Sequence, residues 1–280
     1  SRWLQSAGPS DGPKDRTSKP HCGHVRPAFQ WGMHDFSSLA WLLSLTFLVA
    51  GLVKGVTGMG LPTVAMGLLG MAMPPTAAAT LLVVPSLVTN VWQLLAGRAT
   101  AALLRRFWPM AIGIVVGTIA SARLLVRVDP SWSGLALGAA LVVYAIFALC
   151  APALAVPRRV EPWLSPVIGL VTGLVTGATG VFVIPAVPYL QALRLDRDEL
   201  VQALGLSFTV STIALAIGLV AHGASRPGQL GLSSLAIVPA LLGMWFGQRI
   251  RSRISAARFR QYFLVFLIAL GLELASRPFF

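Results

Sequence analysis

Apolar residues in this chain come in long unbroken runs. From residue 36 onward they cover 36–56, 61–73, 76–97, 106–127, 132–153, 163–181, 182–193, 197–221, 230–249 and 258–275. Runs with no polar face predict helices that are apolar all round, as lipid-facing spans must be. Six of them (76–97, 106–127, 132–153, 197–221, 230–249 and 258–275) are near the ~20 residues that carry a helix across ~30 Å of hydrocarbon. The runs 61–73 and 182–193 are shorter and reach about 20 Å or less at the helical rise per residue. Each of the two short runs follows a cluster of glycines. The pattern predicts an all-α polytopic membrane protein. Each half has three full spans and one broken or re-entrant helix pair, giving about eight membrane segments.

The polar stretches divide the chain. Residues 1–35 are rich in Ser, Gly, Pro and charge, have no apolar period, and read as a disordered leader. Met33 stands just before the first apolar run, so the expectation is that the residues upstream of it are not native. The leader is not read as a signal peptide, whose basic segment directly precedes its apolar stretch. Residues 156–162 link a first membrane repeat, 36–155, to a second, 163–275.

The two halves resemble each other. GLVKGVTGMGLP from Gly51 matches GLVTGLVTGATGVFVIP from Gly169, pairing Gly51 with Gly169, Gly55 with Gly173 and Pro62 with Pro185. Further on, Ser86 and Thr89 match Thr209 and Thr212, small hydroxyl residues inside apolar helices. An internal duplication with interrupted segments at matching positions points to a transporter with its site at the repeat interface.

Composition agrees with the run pattern: 56% of residues are hydrophobic and 11% charged, and the mean hydropathy is +0.77. Soluble domains carry about 25% charged residues, so most of this surface is not built to face water. The net charge of +13 comes largely from arginines dispersed in short loops. That dispersal is the pattern of membrane anchoring, whereas a nucleic-acid face would cluster them, so no nucleic-acid partner is expected. The sequence His21-Cys22-Gly23-His24 has no further ligands at zinc-site spacing, and no metal or other cofactor is expected.

Arginine placement sets the topology. If 36–73 enters the membrane and returns to the side it left, twelve loop arginines fall on one side and only Arg123, Arg127 and Arg226 on the other. If 36–73 crosses once, the split is six against nine. The bias of arginine toward the cytoplasm favours the first arrangement, an inverted repeat with both termini outside the cytoplasm.

The candidate site lies where the helices break. Unpaired backbone in lipid costs several kcal/mol per group and survives only within protein or beside a watery cavity. Two matching breaks imply a shared cavity, toward which the N-termini of the short helices near Leu61 and Val181 would point. Lys54, the only lysine beyond residue 19, could add a full positive charge there. The candidate substrate-binding residues are Lys54, Thr57, Gly58, Gly60, Pro62, Ser86, Thr89, Asn90, Thr176, Gly177, Gly180, Pro185, Thr209 and Thr212. Plainer roles stand beside these. GxxxG spacing at Gly51/Gly55 and Gly169/Gly173 fits helix packing, while the glycine density at Gly58, Gly60, Gly177 and Gly180 favours a break. Lys54 could snorkel to an interface, and the hydroxyls could bond their own backbone. Asn90, with Gln93 one turn on, needs a partner if buried. Glu273 is expected at the interface, and Trp92, Trp108, Trp132, Trp163 and Trp245 in aromatic belts or packing.

The duplicated glycine-rich break, the proline after it and the Ser/Thr-bearing span that follows resemble the TauE/SafE sulfite exporter family, over about residues 40–275. The resemblance implies a secondary permease, without enzymatic activity, that moves sulfite, sulfonates or related small anions across a bacterial inner membrane. An inside-negative potential drives anions outward by roughly 2.3 kcal/mol per charge per 100 mV. The chain has no GxxxxGK[ST] motif to bind ATP. The competing readings are a non-transporting membrane scaffold, which needs no cavity, and an intramembrane enzyme, which would need a catalytic pair or metal ligands within the spans.

Overall fold

The computed structural model describes residues 33–150, 155–224, 227–251, 253 and 255–279. The leader up to residue 32, residues 151–154 at the end of the first repeat and Arg226 lie outside the described residues. Within them the chain is helical: α1 (Met33–Thr57), α2 (Leu61–Ala72), α3 (Pro75–Leu95), α4 (Thr100–Arg127), α5 (Pro130–Cys150), α6 (Glu161–Thr179), α7 (Ala186–Ala192), α8 (Arg197–Ala221), α9 (Pro227–Leu235), α10 (Ile237–Ile250) and α11 (Ala256–Ser276), closed by a 3-10 turn at Arg277–Phe279. Eight segments are long and apolar enough to cross a membrane: the six full runs and the two helices, α1 and α6, that precede the breaks.

The helices depart from the apolar runs in four places. First, α1 begins at Met33, inside the stretch expected to be disordered. Second, α4 begins at Thr100, six residues before its apolar run, because TAALLRR is made of good helix formers. Arg105 and Arg106 therefore ride on the helix instead of in a loop. Arg106 forks onto Glu161 in the first turn of α6, Nε to Oε1 at 2.5 Å and Nη2 to Oε2 at 2.8 Å. Third, α7 is only Ala186–Ala192, since residues 181–185 are not helical. Fourth, the run 230–249 is split at Ala236, where Pro239 has no N–H to offer the Leu235 carbonyl.

Glycines draw the long helices together in two matching pairs. A Cβ on Gly51 or Gly55 would lie 2.2 or 2.3 Å from the carbonyl oxygens of Ala240 or Met244, and Gly243 and Gly247 meet Leu48 and Leu52 in the same way. On the other side Gly169 and Gly173 face the carbonyls of Met110 and Ile114, and Gly113 and Gly117 those of Pro166 and Leu170. Contacts this close exist only where both helices present small residues. For Gly51, Gly55, Gly169 and Gly173 the packing role holds. In each pair residue numbers rise together, so α1 runs parallel to α10 and α4 parallel to α6.

The pairs α5–α11 and α3–α8 run antiparallel. Gly138 of α5 packs on Gly271 and Ala275 of α11, and Arg260 Nη2 donates to the Ala148 carbonyl at 2.9 Å. Gly205 of α8 lies against Gln93 and Leu94 of α3. Gln202 Nε2 donates to the Leu94 carbonyl at 2.8 Å. These contacts bring the α3–α4, α5–α6, α7–α8 and α10–α11 connections to one face. At that face Arg251 is held below the usual arginine range by partial burial and by the neighbouring charge of Arg197. Trp41, Trp92, Trp108, Trp132, Trp163 and Trp245 are exposed on the outside of the bundle, as lipid-facing residues would be, and do not pack its core.

Candidate functional site

Both helix breaks use one local device. Gly58 and Gly60 take φ of +80° and +101°, and Gly180 takes +73°, values that side chains disfavour. At the first break the Thr57 hydroxyl accepts from the Met59 N–H at 3.2 Å. At the second the Thr179 hydroxyl accepts from the Val181 N–H, also at 3.2 Å. The structural counterpart of Thr57-Gly58 is therefore Thr179-Gly180, so that of Gly177 and Gly180, both expected to break the helix, only Gly180 does. Gly177 lies inside α6, where an added Cβ would meet Ser121 Oγ and the Thr118 carbonyl at 2.2 and 2.3 Å. It is a packing glycine and does not break the helix. Thr176 is buried and donates to the Thr172 carbonyl at 2.7 Å. The chain carries TG three times in this stretch, at 172–173, 176–177 and 179–180, and the helix ends at the third copy.

The two breaks have different neighbours. Gly60 packs on Val53 and Phe263, whereas Gly180 packs on Met66 and Ala79. Leu61 and Pro62, at the start of α2, and Val181 are buried. Pro185 is a cis-proline at the N-terminal boundary of α7.

Among the described residues the polar cluster forms at the first break. Lys54, in the last turn of α1, is 2% exposed. Its Nζ donates to Asn90 Oδ1 and, at 3.2 Å, to Thr89 Oγ1. Asn90 Nδ2 donates to Thr212 Oγ1 at 3.2 Å, which joins α3 to α8. Thr89 also reaches the Pro85 carbonyl at 2.9 Å, and Thr212 the Phe208 carbonyl at 2.7 Å. One lysine thus ties together α1, α3 and α8, including Thr89 and Thr212, the hydroxyl pair matched between the repeats. Thr209 bonds only its own backbone, at Gly205. Ser86, on the Asn90 face of α3 one turn away, is fully buried, and its hydroxyl has no partner among the described residues.

Every partner of the Lys54 ammonium is neutral. A buried ammonium without a carboxylate is costly, because hydroxyl and amide dipoles replace only part of its hydration. The ion pair Arg106–Glu161 joins α4 to α6. Glu273 is exposed and lies 3.4 Å from Arg277. His222 Nδ1 lies 2.8 Å from the Gly218 carbonyl.

Gln93 belongs to the site, though its chemistry was not legible beyond its position one turn after Asn90. Its Nε2 lies 2.9 Å from both the Gly58 and Val201 carbonyls, stapling the first break to α8. Its Oε1 is buried without a partner among the described residues. Ser211 and Ser207 on α8 and Thr63 in the first turn of α2 are likewise buried with unpartnered hydroxyls. Polar side chains left unpaired in so apolar an interior are uncommon and point to a ligand or a second conformation.

The chain matches the family model described as "Sulfite exporter TauE/SafE" over residues 43–274. It belongs to that family. The match takes in both breaks, Lys54 and the polar residues of α3 and α8. With the eight span-length helices it makes the chain a multi-pass membrane protein of a transporter family. Neither the curated proteins nor the solved structures contain a match.

Proposed function

We propose that the protein is a secondary permease for small sulfur oxyanions, sulfite or sulfonates, in the bacterial inner membrane, and that the anion binds at Lys54. The observation that carries this reading is a buried ammonium whose partners among the described residues, Thr89 and Asn90, are both neutral. An oxyanion supplies the missing negative charge, and its several oxygens accept from Lys54 and from the free hydroxyls of Ser86 and Ser211. Thr57, Gly58, Gly60 and Pro62 shape the break beside Lys54, while Thr209 and Thr212 line the facing helix. The second break, with Thr176, Gly177, Gly180 and Pro185, is the matching element of the other half.

The helix pairings support an inverted repeat. α1 with α10 corresponds to α6 with α4, and α3–α8 and α5–α11 are pairs that an exchange of halves leaves in place. The five elements of the first half end on the face opposite to where they began, so the second half starts inverted. The arginine-rich connections share one face, which is cytoplasmic by the positive-inside rule. Alternating access follows if the two glycine-zipped pairs rock against α3 and α8, which carry the site between them.

Counterflow in proteoliposomes tests the reading. Preloaded sulfite or sulfoacetate is expected to accelerate entry of labelled sulfite, and Lys54→Ala to abolish the effect while the protein remains folded and abundant. Undiminished counterflow in Lys54→Ala would remove Lys54 from the site.

A further inference from the structure

We propose that Lys54 carries a proton across the membrane with each anion, so that the permease is an electroneutral proton–anion carrier. This rests on the reading of Lys54 as the anion site. With the anion bound, ammonium and oxyanion form a net neutral pair. Once the anion leaves, the ammonium is alone among Asn90 and Thr89, and moving it through the closed state exposes the full cost of an unpaired buried charge. Losing the proton to water on the release side removes that cost. The amine takes a proton from water on the loading side, the anion binds beside it, and both leave together. No bond other than N–H forms or breaks.

The surroundings of Lys54 offer no other charge for this task. α2 and α3 contain no ionisable side chain at all. In α10 the one such group is Arg249 in the last turn, over the Trp245 ring at 4.8 Å. In α8 the ionisable residues are Arg197, Asp198 and Glu199, all in the first turn. α11, which packs beside α1 and α2, has Arg258, Arg260 and Tyr262 near its start and Glu273, paired with Arg277, near its end. α5 brings Tyr144, whose hydroxyl lies 3.5 Å from Met59 Sδ at the break. None of these bonds to the ammonium, and among the described residues no carboxylate is placed to hold it charged when the anion is gone.

The test separates net flux from exchange. Arginine keeps its proton under all these conditions, so Lys54→Arg can load an anion but cannot return empty as a neutral group. Methanesulfonate is the probe, because it stays a monoanion while the pH is changed; sulfite is run in parallel. In wild-type proteoliposomes, acid outside is expected to drive methanesulfonate uptake, and a valinomycin-clamped potassium potential to leave it unaffected. Lys54→Arg is expected to lower this net uptake at least about ten-fold more than it lowers counterflow, since only the empty return is blocked. Uptake that follows the potential and ignores the pH gradient would overturn the coupling and leave the permease reading standing. Equal losses of net uptake and counterflow in Lys54→Arg would also overturn it. Absence of counterflow with both anions would withdraw the permease reading and the coupling with it.

Discussion

Ser233 Oγ donates to the Leu81 carbonyl at 2.6 Å, across the two halves of the chain. The bond has a local cause. In α3 the residue four positions after Leu81 is Pro85, which has no N–H, so the helix leaves this carbonyl unpaired. Ser233, fully buried in α9, supplies the missing donor and also accepts from the Val84 N–H at 3.4 Å. A carbonyl left unpaired in one repeat is thus satisfied by a hydroxyl of the other, and Pro85 lies one helical turn before Thr89 of the Lys54 cluster.

Ser233→Ala is expected to cost about 1–3 kcal/mol, the penalty for a buried carbonyl left without a donor. In a Pro85→Ala background the helix supplies its own N–H to Leu81, and Ser233→Ala should then cost less than half as much. Thermal unfolding in detergent of the wild type, both single variants and the double variant measures the coupling. Additive losses would mean that Ser233 does not act through Leu81.

The glycine zippers give a prediction with an internal control. Gly55→Ala places a methyl 2.3 Å from the Met244 carbonyl, so α1 and α10 must separate. The expected loss is about 1–3 kcal/mol, as for other overpacked contacts. Gly134→Ala, in α5, meets nothing within 4 Å and should be neutral or stabilising by up to about 1 kcal/mol through helix propensity. Melting temperatures of the two variants should move apart in that order, and a Gly55→Ala protein as stable as wild type would contradict the close approach of α1 and α10.

The run pattern contained most of the fold, because hydropathy reports directly on which segments lie in lipid. The eight segments, the duplication and the break at Gly58 and Gly60 were all readable from it. It was silent on where helices end, since an arginine on a good helix former extends the helix while ending the apolar run, as at Arg105 and Arg106. Of the two glycines expected to break the helix in the second half, Gly180 does and Gly177 does not, because the packing of Gly177 on α4 keeps it within α6. In the site, Lys54, Thr89, Asn90 and Thr212 were legible as polar residues in apolar helices. Their meeting depends on the antiparallel crossing of α3 and α8, a tertiary fact with no local signature. Pro239, by contrast, was a readable signal for the split between α9 and α10, masked by the continuous apolar run around it.

Asn90 and Lys54 set the last prediction. Asn90→Asp changes one amide nitrogen for oxygen and keeps the shape of the side chain, while placing a carboxylate against the Lys54 ammonium. If Lys54 is uncompensated in the empty protein, the new ion pair should raise thermal stability, by about 1–3 kcal/mol for a charged hydrogen bond in a buried setting. The same carboxylate then occupies the place of the substrate's charge, so anion counterflow should fall by at least about ten-fold, the effect of roughly 1.4 kcal/mol of lost anion binding. The neutral Asn90→Leu variant separates the two effects. It removes the acceptor for Lys54 and the donor to Thr212, so it should lower both stability and transport. A stabilised Asn90→Asp protein that still exchanges anions at the wild-type rate would show that the anion does not bind at Lys54. The opposing signs arise because a fixed internal counterion and a mobile external one compete for the same buried charge.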